Sequence, residues 1–266
     1  MPKVKNVLVQ RTFNYEGLYS ALITWDCSVS GVPDIQGFNV YRSLDSKDFQ
    51  LVGSNLGICQ YLDENIPLLQ GEEYYYKITF IDNNGIESSL DEADAITFTH
   101  QLSTTNGFNT RLVNTSLEQI RRLAWLFKHV GEPVWFIIRQ YVGKKCHRCY
   151  DFNSHKATDP NCPVCFGTGI EGGYKAVEGL MIVSPSDMRY LRDNDGFIAN
   201  NTLVVYLPFY PFLTSNDFII RKRTGQRYLF NSVNQTIIEG FVVMQTARIT
   251  LAEKGSKIYK LEVDNG

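Results

Sequence analysis

From Val4 to about Thr99, short runs of alternating apolar residues are broken by Gly, Asn, Asp and Pro every eight to twelve residues or so. Side chains of a strand alternate between two faces, so this rhythm predicts antiparallel strands around a shared core, a β-sandwich over residues 1–100. His100-Gln101-Leu102-Ser103-Thr104-Thr105-Asn106-Gly107 is polar and has no period, and a linker is expected at 101–110. Thr115-Ser116-Leu117-Glu118 then has the form of a capping box, and Leu117, Ile120, Leu123, Ala124, Phe127 and Val130 recur at helical spacing. They predict one helix over 116–130, ended by Gly131 and Pro133. Val134 to Tyr141 reads as a buried strand. Further apolar runs follow at Leu180–Val183, Thr202–Leu207, Asp217–Ile220, Arg227–Phe230 and Gly240–Met244, with a hairpin at Thr224-Gly225. Separated by turn residues, they predict an antiparallel barrel-like body that completes a second domain over 111–266.

Composition supports the strand-rich reading. The chain has 266 residues, enough for two domains, and carries 15 Tyr and 16 Phe, which pack well on pleated surfaces. A formal net charge of -2 argues against a general nucleic-acid binder. Met1-Pro2-Lys3-Val4-Lys5-Asn6 leads into no apolar signal region, and no apolar run reaches membrane-spanning length. A reducing cytoplasm is therefore expected, in which the 6 cysteines act as thiols or metal ligands, with Cys27 and Cys59 as free buried thiols.

Cys146-His147-Arg148-Cys149 and Cys162-Pro163-Val164-Cys165 carry the clearest chemistry. Two Cys-x-x-Cys turns present four sulfurs to one tetrahedral ion, which points to structural Zn2+ held by Cys146, Cys149, Cys162 and Cys165 in an insertion over 144–174. Four thiolates leave no open position for water or substrate, so Lewis-acid chemistry is not expected. An iron–sulfur cluster needs the same ligands and stays open, whereas a thioredoxin-type motif lacks its βαβ setting. His147 and His155 are expected to be bystanders. The intervening loop, Asp151 to Pro160, is polar and has no core of its own, so the ion would replace hydrophobic burial. Arg121, Arg122 and Lys128 read as a solvated helix face, and His129 as a partner of the helix C-terminus.

Three resemblances extend this picture. Ala21-Leu22-Ile23-Thr24-Trp25, Gly37-Phe38-Asn39-Val40-Tyr41-Arg42-Ser43 and Gly71-Glu72-Glu73-Tyr74-Tyr75-Tyr76-Lys77-Ile78-Thr79-Phe80 are similar to the second, third and sixth strands of a fibronectin type III domain. The likeness implies that Tyr74 is the buried corner tyrosine, that Tyr76, Ile78 and Phe80 face the core, and that Cys27 and Cys59 lie near neighbouring strands. Cys162 to Gly169 resembles one Cys-x-x-Cys-x-Gly-x-Gly repeat of the DnaJ-type chaperone zinc region; the four repeats of that family are not present, so chaperone activity does not carry over. Asp217-Phe218-Ile219-Ile220-Arg221, Thr224-Gly225-Gln226-Arg227-Tyr228-Leu229 and Gly240 to Ala247 are similar to the barrel hairpin and following strand of neck and head-tail connector proteins of tailed bacteriophages.

That last resemblance implies a structural virion protein, assembled in the host cytoplasm, that meets copies of itself in a ring and contacts other neck or tail proteins. The first domain would project outward and contact neighbours or cell-surface material. No membrane contact is expected, and DNA contact only by proximity. Enzymatic activity is not expected: phosphate-loop, Gly-x-Ser-x-Gly and His-Glu-x-x-His motifs do not occur, and Asp187, Asp193 and Asp195 read as a solvated loop. The competing readings are a zinc-ribbon nucleic-acid binder and a tail or baseplate structural protein.

Overall fold

The computed structural model describes residues 2–32, 34–64, 66, 73–99, 110–184, 191–193, 196–198, 202–238 and 241–263. Most of the expected linker, together with Asp187 and Asp195, lies outside them. The first unit packs a sheet of β1 (Leu8–Phe13), β2 (Tyr19–Thr24) and β5 (Gln60–Asp63) against a sheet ordered β4 (Gln50–Leu56), β3 (Ile35–Ser43), β6 (Glu73–Asp82) and β7 (Ile96–Thr99). This is the expected fibronectin type III-like sandwich. Alternate residues of β6, Tyr74, Tyr76, Ile78 and Phe80, all enter its core, and Trp25 packs edge-on against Phe38 at 5.6 Å. Burying Tyr76 requires a partner for its hydroxyl, which donates to Asp63 at 2.9 Å; Arg42 pairs with the same carboxylate at 2.9 Å.

Cys27 and Cys59 form a disulfide, not the free thiols expected. Antiparallel pairing of β2 with β5 sets Thr24 opposite Gln60, so the residues just beyond those strand ends face each other with Cα atoms 5.4 Å apart.

A single long helix, α1 (Thr110–Val130), follows. It begins before Thr115, which lies inside the helix and cannot serve as its N-cap. Leu117, Ile120, Ala124 and Phe127 are buried along one stripe, whereas Val130, expected at the end of that stripe, is exposed. Gly131 stops the helix: its N–H closes on the Phe127 carbonyl at 2.8 Å, and a Cβ there would meet that oxygen at 2.4 Å.

The second unit is a closed six-stranded antiparallel barrel. In chain order its strands are β8 (Glu132–Arg139), β11 (Tyr174–Val183), β14 (Thr202–Leu207), β15 (Phe218–Arg221), β16 (Arg227–Ile238) and β17 (Phe241–Leu251). Around the barrel the order is β11, β14, β17, β16, β15, β8. Between β8 and β11 the insertion carries a small hairpin of β9 (Tyr150–Asp151) and β10 (Lys156–Ala157). A second hairpin, β12 (Leu191–Asp193) with β13 (Gly196–Ile198), precedes β14. Each apolar run expected to be a strand falls on a barrel strand, and the interior is filled by Val134, Phe136, Met181, Val205, Ile219, Phe230 and Ile249.

Sandwich and barrel are packed together. Phe13 and Leu22 of the sandwich share a core with Leu117 and Ile120 of α1 and with Phe209, Val242 and Val243 of the barrel unit. Ile58 packs into the barrel core, and Val142 packs into the sandwich core. The Gln60 side chain accepts from the Phe212 N–H at 2.8 Å and donates to its carbonyl at 3.0 Å. Gln245, fully buried, holds the same loop through Pro208, Pro211 and Leu213.

Candidate metal centre

The chain leaves β8 and is fastened at once: Gln140 N–H bonds the Gly173 carbonyl at 3.0 Å, Tyr141 N–H the Gly57 carbonyl at 3.2 Å, and Gly143 N–H the Ile35 carbonyl at 3.1 Å. The insertion therefore starts from backbone bonds to both units. Each Cys-x-x-Cys forms a tight turn, with Tyr150 N–H on the Cys146 carbonyl at 3.1 Å and Phe166 N–H on the Cys162 carbonyl at 2.8 Å. Thr158 closes the excursion by donating both N–H and hydroxyl to the Cys149 carbonyl. Two glycines are required by close approach and by positive φ. A Cβ on Gly167 (φ 83°) would meet the Pro160 carbonyl at 2.6 Å, and one on Gly173 (φ 61°) the Cys165 carbonyl at 2.5 Å.

These constraints bring the sulfurs of Cys146, Cys149, Cys162 and Cys165 within 4.8 Å of one another, all four residues being buried. Cys146 and Cys162 sulfurs are 3.8 Å apart, and those of Cys149 and Cys165 are 3.2 Å apart. A tetrahedron of thiolates about 2.3 Å from a central ion has edges of roughly 3.8 Å, close to the spacing of this donor set, which could therefore hold a metal ion.

The protonation pattern points the same way. Burial pushes the Cys146 and Cys149 thiols up, and in Cys149 the neighbouring thiols of Cys165, Cys162 and Cys146 add to it. Burial also opposes ionisation of Cys162, but N–H donors from Cys165 and Val164 and the thiols of Cys149 and Cys165 outweigh it and bring Cys162 down to about 7. The Cys162 thiolate thus forms readily while Cys146 and Cys149 resist, as crowded anions must unless a cation joins them.

His147 and His155 lie outside the group of four. His147 faces solvent and meets Glu171 at 2.7 Å, beside Lys144 at 3.1 Å from the same carboxylate. Lys145 pairs with Asp34 of the sandwich at 3.3 Å, and Lys257 near the C-terminus donates to the Pro160 carbonyl at 2.6 Å. The cluster is therefore tied to the sandwich, the barrel and the C-terminal segment. Away from it, Arg121 and Arg122 pair with Glu118, Lys128 pairs with Glu16, and His129 meets the Trp125 carbonyl at 2.8 Å near the helix end.

Sequence reasoning missed Gln60 and Gln245, whose role depends on a loop more than thirty residues away in each case. Pattern alone offered no signal for either.

No protein-family model matches the chain, and no curated protein matches it. Similar solved structures include an Fn3-like protein from Clostridium thermocellum, 21% identical with a TM-score of 0.26, covering 36% of this chain and 86% of that one. A beta-1,2-glucanase from Parabacteroides distasonis is likewise 21% identical with a TM-score of 0.26, covering 45% of this chain but 15% of its own.

Proposed function

We propose that this chain is a structural protein of a tailed-phage virion, forming or decorating a ring at the neck or head-tail connection, with Zn2+ in the four-cysteine site. The observation that carries the reading is where the connector-like pattern falls. Asp217 to Leu229 supplies β15 and the start of β16, and Phe241 to Ala247 lies in β17, so the resembling segments are consecutive neighbours in one closed barrel. Asp217 itself is buried at the base of β15 and accepts from Arg139 N–H at 2.8 Å and from both the N–H and the hydroxyl of Thr214. The motif's acid thus locks a loop in place.

The four-cysteine cluster supports this reading as the seat of a fastener. Four buried thiolates would saturate the ion, leaving a loop held rigid beside the barrel instead of a reactive centre. The basic residues near it support a nucleic-acid ribbon poorly, because Lys144 and Lys145 are already paired with Glu171 and Asp34. In the virion reading, barrel strands and loops meet copies of the chain in a ring, while the sandwich faces neighbouring proteins or cell-surface material.

Electron microscopy of purified phage particles labelled for this chain tests the proposal. A fixed copy number in a ring at the neck is the expected result. Absence from particles, or salt-dependent retention of a monomer on DNA, would overturn it.

A further inference from the structure

A cleft of about 440 Å3 is lined by residues of both the sandwich and the barrel unit and shares no residue with the cysteine cluster. Phe13 and Tyr15 line it from the sandwich, and Phe209 and Tyr210 from the loop before β15. Its barrel wall includes Val177, Gly179 and Leu180 of β11.

Glu64 stands at the cleft, exposed enough to be reached. Partial burial raises its carboxyl above the usual range. Its charge is felt by the walls: burial pushes the Tyr15 and Tyr210 phenols up, and the Glu64 carboxylate adds to the effect in both. The cleft's own cation does not neutralise it. Lys222 is held by Glu178 at 2.7 Å and sits 3.9 Å from the centre of the Trp135 ring. Among the described residues, Glu64 has no ion-pair partner.

We propose that this cleft binds a lysine or arginine side chain presented by a partner protein, with the charged head at Glu64 and the methylene stem against the aromatic and aliphatic walls. A carboxylate beside aromatic rings attracts an organic cation through charge and through the negative ring faces. The long stem of Lys or Arg matches the apolar surface offered by Leu62 and Leu180. An inorganic cation does not match, because calcium or magnesium takes about six or more oxygen ligands. The cleft would take this side chain whether or not the chain belongs to a virion.

The test titrates the full chain, followed by NMR, with Nα-acetyl-lysine methylamide, Nα-acetyl-arginine methylamide and the neutral Nα-acetyl-norleucine methylamide. Saturable binding of a basic probe, with shifts at Tyr15 and Tyr210, is expected. The neutral probe should bind at least about tenfold more weakly, and Glu64→Gln should weaken the basic probe by a similar factor. The idea fails if neither basic probe saturates, if norleucine binds as tightly, or if Glu64→Gln retains native affinity. Comparing charged with neutral probe in the native chain decides the matter even if the variant misfolds.

Discussion

Replacing Ile120 with Ala should destabilise the sandwich and the barrel together. Ile120 is 1% exposed and lies in the core that joins Phe13 and Leu22 to Val242 and Val243. Truncation removes three carbons from a buried site, worth about 0.8 kcal/mol each, or roughly 2.4 kcal/mol in all. The cavity adds ~1–2 kcal/mol, because surrounding side chains relax only in part. The better helix propensity of Ala returns a few tenths of a kcal/mol. A net loss of about 3–4 kcal/mol is expected, which at a urea slope of roughly 2–3 kcal/mol/M moves the midpoint down by about 1–2 M. Tryptophan fluorescence and far-UV circular dichroism provide the assay, since Trp25 reports on the sandwich and Trp135 on β8. The two probes should shift together in one transition. Two separate transitions, only one of them displaced, would refute the idea that α1 joins the units into one cooperative body.

Two further outcomes follow from the same contacts. Protein purified under reducing conditions should carry one zinc ion per chain by elemental analysis, and Cys162→Ser should lose it and open the 150–162 loop to protease while the sandwich stays folded; substoichiometric zinc, or unchanged protection, would count against the site. Gln60→Leu should cost about 1–3 kcal/mol, because the Phe212 N–H and carbonyl lose their partners in a part-buried site; a thermal midpoint equal to that of the native chain would show that water replaces the side chain freely.

Much of this architecture is written in local pattern. Alternation in β6, helical spacing from Leu117 to Phe127 and the paired Cys-x-x-Cys turns each act over a few residues, where strand and helix geometry or turn closure decides the outcome. For that reason the sandwich, the strand-rich second unit and the grouping of the four cysteines could be read from the chain alone. The helix start could not, because Thr115-x-x-Glu118 satisfies the capping rule while the backbone continues helical from Thr110. The Cys27–Cys59 disulfide depends on which strands pair and in what register. Closure of the barrel, the packing of Ile58 into the barrel core and of Val142 into the sandwich core, and the placing of Glu64 in one cleft with Tyr15 and Tyr210 arise where residues far apart in sequence converge. Periodicity states which face of an element is apolar; only the tertiary structure decides what that face meets.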